Sequence, residues 1–172
     1  MKAAAVIVII VLVAAVYFMK NEESIIPMQN SIDENAGVLQ SGRESLEIHS
    51  FSPEMITSSE VPMIIVIGED YCQPCLRMKP DLEKLHKEHD DVSVRYLDLG
   101  ENRDAAAYFP LRVTPTIAIY EAGGEPFSPG DDSELSYILY SDKNTGEHVM
   151  TIHEGYLSLS ELEALIGELT GD

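Results

Sequence analysis

Two cysteines carry the most specific chemistry that this sequence offers. Cys72 and Cys75 are the only cysteines among the 172 residues, which excludes both a framework of disulfides between distant segments and a four-cysteine zinc site. They belong to the segment Tyr71-Cys72-Gln73-Pro74-Cys75. Three positions are nearly one helical turn, so the two sulfurs can close a small disulfide. The pair is predicted to cycle between a dithiol and a disulfide.

The position of the pair favours Cys72 as the nucleophile. The segment follows a predicted buried strand and opens a predicted helix. Unpaired amides and the helix dipole at such an N-terminus stabilise a thiolate, and they can lower a cysteine pKa from about 8.5 to about 3.5–7.5. The neighbouring Glu69 and Asp70 oppose this effect slightly by charge repulsion.

Alternating strand and helix signals surround the cysteines. The apolar run Pro62–Ile67 is rich in β-branched residues and predicts a central strand buried on both faces. Residues Cys72–His89 predict a helix with one apolar face, kinked by Pro80. The other predicted strands are 46–49, 92–99, 116–120, 135–141 and 147–153, and the other predicted helices are 53–59, 102–109 and a last one capped by Ser158 and Glu161. This order predicts an α/β fold, a mixed sheet with helices on both sides.

These features resemble the thioredoxin superfamily from about Leu46 to Thr170. The motif C-x-P-C is followed by Pro80, five residues after Cys75, and Thr114-Pro115 opens a strand 40 residues after Cys75. The resemblance implies a thioredoxin-like fold in which Cys72 and Cys75 are catalytic. It also implies a cis bond before Pro115, and contact with substrate by Tyr71, Gln73, Pro74, Thr114 and Pro115.

Three positions depart from the family pattern. Tyr71 replaces the usual tryptophan before the first cysteine. Val66 stands where the family tends to bury an acid, and Tyr96 stands where it tends to place a lysine on the next strand. The usual proton acceptor for Cys75 is therefore missing, and water or another carboxylate must take its place.

The N-terminus predicts export of the domain. Residues 3–19 form an uncharged apolar run between Lys2 and Lys20 that is just long enough to cross a bilayer. We interpret residues 1–20 as a transmembrane signal anchor, residues 21–42 as a flexible linker and residues 43–172 as the thioredoxin-like domain. The positive-inside rule places the N-terminus in the cytoplasm and the domain outside it. A cleaved signal peptide that releases a secreted domain is the alternative.

The charge excludes one class of partner. The chain has 11 Lys and Arg against 30 Asp and Glu, a formal net charge of -19, which repels phosphate backbones and rules out nucleic-acid binding. The five histidines show no metal-ligand spacing with one another. Residues 121–133 form an inserted loop, interpreted either as passive surface or as a determinant of partner choice.

The leading hypothesis is a membrane-tethered, extracytoplasmic thiol–disulfide oxidoreductase that reduces protein disulfides. It requires no cofactor beyond the Cys72–Cys75 disulfide and no metal. The resemblance to tethered members of the superfamily implies that a polytopic membrane relay protein supplies its electrons. Two alternatives use the same cysteines: a disulfide donor, and a copper-carrying chaperone that would add a histidine ligand.

Overall fold

The computed structural model of the chain describes residues 44–171, which lie in the compact unit Arg43–Asp172. The predicted order of elements is confirmed. The strands are β1 (Glu47–Ile48), β2 (Met63–Gly68), β3 (Ser93–Asp98), β4 (Thr116–Tyr120), β5 (Ile138–Ser141) and β6 (His148–Glu154). The helices are α1 (Glu54–Thr57), α2 (Gln73–Glu88) and α3 (Leu159–Thr170), with short 3₁₀ helices at Arg103–Ala107 and Ala122–Gly124.

The six strands form one mixed sheet in the order β1-β3-β2-β4-β6-β5. The first three strands in this order are parallel to one another, and β4, β6 and β5 continue the sheet with antiparallel pairings. The predicted central strand β2 is fully buried. The thioredoxin-like mixed sheet flanked by helices is therefore confirmed.

Alternation along β2 separates two apolar layers. Ile64 and Val66 face a cluster that includes Cys75 and the apolar faces of α2 and α3. Ile65 and Ile67 face a second cluster, on the other side of the sheet. Because successive side chains of a strand point to opposite faces, a strand that is apolar throughout requires cover on both sides.

Two predicted elements differ from the observed ones. The strand expected over 135–141 begins only at Ile138, because the Ser136 carbonyl oxygen lies 2.9 Å from a ring nitrogen of His153 and does not pair with the backbone of β6. The helix expected over 102–109 is a 3₁₀ helix, and Asn102 directs its amide to the carbonyl oxygens of Ile48 and Asp98.

The predicted membrane anchor, residues 1–20, and the predicted linker, residues 21–42, lie outside the described residues. Within residues 44–171, no helix is long and apolar enough to cross a membrane.

Candidate active site

The two cysteines lie at the junction of β2 and α2, and they are joined by a disulfide. Their Cα atoms are 5.2 Å apart. Cys72 is the N-cap of α2, and its sulfur accepts a hydrogen bond of 3.2 Å from the amide of Cys75. The end of the helix thus directs a backbone donor at the Cys72 sulfur, which is the arrangement that stabilises a thiolate there.

The two sulfur-bearing residues differ in access to solvent. Cys72 keeps 8% of its surface exposed, whereas Cys75 is completely buried. A disulfide of another protein can therefore approach Cys72 but not Cys75. The exposed part of the disulfide is therefore on the Cys72 side.

The residues around the disulfide present a mixed surface. Tyr71 is 77% exposed, so its ring extends into solvent, and a hydrogen bond to Glu69 raises the pKa of its hydroxyl. Gln73 is exposed and Pro74 is half-buried in the first turn of α2. Asp70 is exposed and lies 3.9 Å from Lys79, which offsets part of its repulsion of a thiolate.

The Thr114–Pro115 peptide bond is cis. Thr116 of β4 pairs with Ile67 of the antiparallel strand β2, so Pro115 lies at the end of the sheet from which the chain enters the cysteine motif. Pro115 is buried, Thr114 is half-buried, and the Pro115 carbonyl accepts a hydrogen bond from Gly155 at 2.9 Å. The sheet topology thus places Thr114-Pro115 at the same end of the sheet as the segment that contains Cys72 and Cys75.

Two of the three positions that depart from the family pattern, Val66 and Tyr96, belong to the buried cluster that contains Cys75. Val66 and Tyr96 are register partners on β2 and β3, and both are completely buried. A Cβ atom added to Gly68 would lie 2.5 Å from the Tyr96 hydroxyl oxygen and 2.9 Å from the Cys75 sulfur. The absence of a side chain at Gly68 therefore leaves a narrow gap between these two atoms.

Sequence reasoning noted Tyr96 only as a replacement, and it missed both Gly68 and Asp98. Asp98 is the register partner of Gly68 and is 6% exposed. The signal was available in the alternation of β3, which places Tyr96 and Asp98 on one face. Among residues 44–171, no group of three or more His, Cys, Asp or Glu side chains is arranged to hold a metal ion.

Comparison with known proteins agrees with this geometry. The thioredoxin family model matches residues 44–138, more than half of the chain. A thioredoxin of Rickettsia typhi is 29% identical over 75 residues, which are 43% of this chain and 70% of that protein. A thioredoxin of Streptomyces clavuligerus is 25% identical over 68 residues, which are 40% of this chain and 64% of that protein, slightly under two thirds of its length.

Solved structures share the fold. Chloroplastic thioredoxin z has a TM-score of 0.51 and 21% identity, and the superposition covers 75% of this chain and 99% of the other. A thioredoxin of Halobacterium salinarum has a TM-score of 0.51 and 22% identity, with 73% and 89% of the two chains covered. At these identities the likeness concerns the fold alone. The fold, the cysteine pair and the family match together define the class, and the chain belongs to the thioredoxin family.

Proposed function

We propose that this protein is a thiol–disulfide oxidoreductase that reduces disulfides of other proteins. The observation that carries the proposal is the asymmetric disulfide, in which the accessible Cys72 caps a helix and the buried Cys75 lies one turn further along. In the dithiol form, the Cys72 thiolate attacks a client disulfide and releases one client sulfur as a thiolate, which takes up a proton. The Cys75 thiolate then attacks Cys72 and releases the second client sulfur.

Client contact is proposed for the surface around Cys72. Tyr71 offers an exposed ring, Gln73 an exposed amide and Pro74 a rigid first turn. The backbone of Thr114 and Pro115 lies at the same end of the sheet as Cys72. An extended client segment could lie along this backbone with its sulfur against Cys72.

We also propose that the domain is tethered to a membrane and faces away from the cytoplasm. The apolar run between Lys2 and Lys20 and the positive-inside rule support this placement, with secretion after cleavage as the alternative. A reductase outside the cytoplasm must regain two electrons and two protons after each cycle. A membrane relay protein bearing a dithiol would supply them.

Cysteine variants of the 172-residue chain test the nucleophile and the resolving residue. Cys72→Ser is expected to abolish reduction of insulin disulfides, because the only accessible thiol is removed. Cys75→Ser is expected to accumulate mixed disulfides with clients, because nothing resolves them. Insulin reduction by Cys72→Ser at the native rate would contradict the proposed mechanism.

A second experiment fixes the direction of the reaction. Equilibration of the chain in graded redox buffers, followed by thiol alkylation, gives the reduction potential of the cysteine pair. A value near or below about -270 mV, as in thioredoxin, supports a reductase, and a value toward about -120 mV identifies a disulfide donor. Copper bound stoichiometrically to the purified dithiol form would favour the chaperone alternative instead.

A further inference from the structure

The buried hydroxyl of Tyr96 lies next to the resolving cysteine. The point that a Gly68 Cβ would occupy is 2.5 Å from the hydroxyl oxygen and 2.9 Å from the Cys75 sulfur, so these two atoms are at most about 5.4 Å apart. The hydroxyl has no hydrogen-bond partner among the described residues. A buried polar group without a partner destabilises the folded state, so the Tyr96 hydroxyl carries a cost in stability.

A buried carboxylate lies on the same face of β3. Asp98 is two residues beyond Tyr96, and side chains two apart on a strand point the same way. One carboxylate oxygen of Asp98 accepts a hydrogen bond of 2.5 Å from the Gly100 amide. The other oxygen is buried and has no partner among residues 44–171. Because Asp98 is the register partner of Gly68, it flanks the same gap.

Other charged groups face Tyr96 from the elements packed around it. Lys79 of α2 lies 4.2 Å from the centre of the Tyr96 ring, and it forms ion pairs with Glu47 of β1 at 3.3 Å and Asp70 at 3.9 Å. Burial is the largest cause that raises the pKa of Tyr96, and the negative charge of Asp98 is the next. The charges of Glu47, Asp70 and Glu69 raise this pKa further. The Tyr96 hydroxyl is therefore protonated at neutral pH and can donate a hydrogen bond.

We propose that Tyr96 and Asp98 together remove the proton of Cys75, in place of the buried acid and lysine that the family tends to carry. This inference rests on the proposed oxidoreductase function. The Tyr96 hydroxyl has no hydrogen bond to Cys75 or to Asp98 in the disulfide form. In the dithiol form, after side-chain rotation or through one bridging water molecule, the Cys75 thiol passes its proton to the Tyr96 oxygen while the Tyr96 hydroxyl passes its own proton to Asp98. Tyr96 ends unchanged, and Asp98 holds the proton.

The remaining steps conserve electrons and protons. A lone pair of the Cys75 thiolate forms the bond to Cys72, and the bond between Cys72 and the client sulfur breaks. The client sulfur leaves with that electron pair and takes up a proton from solvent. Asp98 later returns its proton to solvent, so the net transfer is one proton from Cys75 to the client.

Reaction of the reduced 172-residue chain with dithiobis(nitrobenzoate) separates the two cysteines in one experiment. Attack by Cys72 releases a first thionitrobenzoate, and attack by Cys75 on the resulting mixed disulfide releases a second. Stopped-flow absorbance records both phases as a function of pH. The variants are Tyr96→Phe and Asp98→Asn. The controls are Tyr120→Phe, a tyrosine buried on the opposite face of the sheet, and Glu47→Gln, which removes a carboxylate paired with Lys79.

Both variants are expected to slow the second phase at least tenfold at neutral pH, because general-base assistance contributes about a hundredfold or more. The second phase should also become steeper in pH, approaching tenfold per pH unit between about pH 6 and pH 8, since the thiol must then ionise unaided. The first phase should stay within about twofold of the native rate, which also verifies that the variants are folded. Both controls should retain the native second phase.

Asp98→Asn distinguishes a proton acceptor from a nearby charge. If Asp98 acted only by electrostatic repulsion, its removal would favour the Cys75 thiolate and accelerate the second phase. An unchanged or faster second phase in Asp98→Asn overturns the proposal, even if Tyr96→Phe proves too unstable to assay. A native chain that releases a single thionitrobenzoate, with no second phase, contradicts the proposed function itself.

Discussion

Replacement of Gly68 by alanine tests whether the gap behind Cys75 is as narrow as the structure indicates. The added methyl group would lie 2.5 Å from the Tyr96 oxygen and 2.9 Å from the Cys75 sulfur. Both contacts are far shorter than the ordinary separation of about 3.5–4.0 Å between non-bonded carbon atoms. Tyr96 and Cys75 are both completely buried, so neither can move into solvent to relieve them.

The expected cost follows from two opposing effects. Overpacking of a well-packed core costs about 1–3 kcal/mol. Loss of glycine's backbone freedom in the unfolded chain returns about 0.4–1 kcal/mol, and Gly68 has no positive φ angle that would reduce this gain. We therefore expect Gly68→Ala to lower the free energy of unfolding by about 1–2 kcal/mol.

Urea unfolding of the oxidised chain, followed by far-UV circular dichroism, measures this cost. A double variant identifies its cause. Tyr96→Phe removes the oxygen that makes the shorter contact, so in that background Gly68→Ala should cost less by about 0.5–1 kcal/mol, the lower part of the range of about 0.5–3 kcal/mol found for residues in direct contact. A cost equal in both backgrounds, or a stabilised Gly68→Ala variant, would refute the reasoning.

Three further predictions concern parts of the fold away from the cysteines. Asn102→Ala should lower the free energy of unfolding in urea by about 2–4 kcal/mol, because the buried side-chain amide donates to two carbonyl oxygens and accepts from one backbone amide. The control Asn144→Ala, in an exposed turn, should cost under about 0.5 kcal/mol. Burial and the Glu168 carboxylate raise the pKa of Tyr137 to about 12. Its contribution to stability should therefore be complete below about pH 10 and disappear as the pH rises to about 12, so urea titrations should show the difference between native protein and Tyr137→Phe shrinking over that interval. Hydrogen bonds from the N-cap serine lower the pKa of Glu161, so the stability lost in Glu161→Gln should be seen at neutral pH and vanish as the pH falls through that lowered value. A difference that persisted in acid would contradict the capping role.

The sequence predicted the elements whose signals are local. Val66 and its neighbours form a continuous apolar run, and this run is buried on both faces of the sheet. Ser158 and Glu161 form the predicted capping box at the start of α3. Thr114-Pro115 was recognised from its distance to Cys75, and its cis bond is present. Each of these features is decided by residues close together in the chain or by a motif with fixed spacing.

The features that the sequence did not predict depend on register or on distant contacts. The strand predicted over 135–141 is too long because the Ser136 carbonyl oxygen is taken by the ring of His153, 17 residues away, and no local pattern reports that contact. The gap behind Cys75 requires that β2 and β3 pair so that Val66 faces Tyr96 and Gly68 faces Asp98. A shift of one residue would turn Tyr96 away from the cysteine, so sequence alone could note Tyr96 but could not place it.

Val66 of β2 stands where the family tends to bury an acid, and the buried carboxylate of this protein lies on β3 instead. Among the described residues, Asp98 is the only buried carboxylate. It lies at the end of β3, next to Gly68, and not on β2 at the position of Val66. Proton transfer from Cys75 to Asp98 then needs a group between them, and Tyr96 is the buried hydroxyl that lies beside Cys75 and on the same face of β3 as Asp98. The same gap therefore controls stability and chemistry, because a methyl group at Gly68 would separate the Tyr96 oxygen from the Cys75 sulfur. Gly68→Ala should consequently slow the second thionitrobenzoate phase while leaving the first unchanged, a coupling that destabilisation alone would not produce.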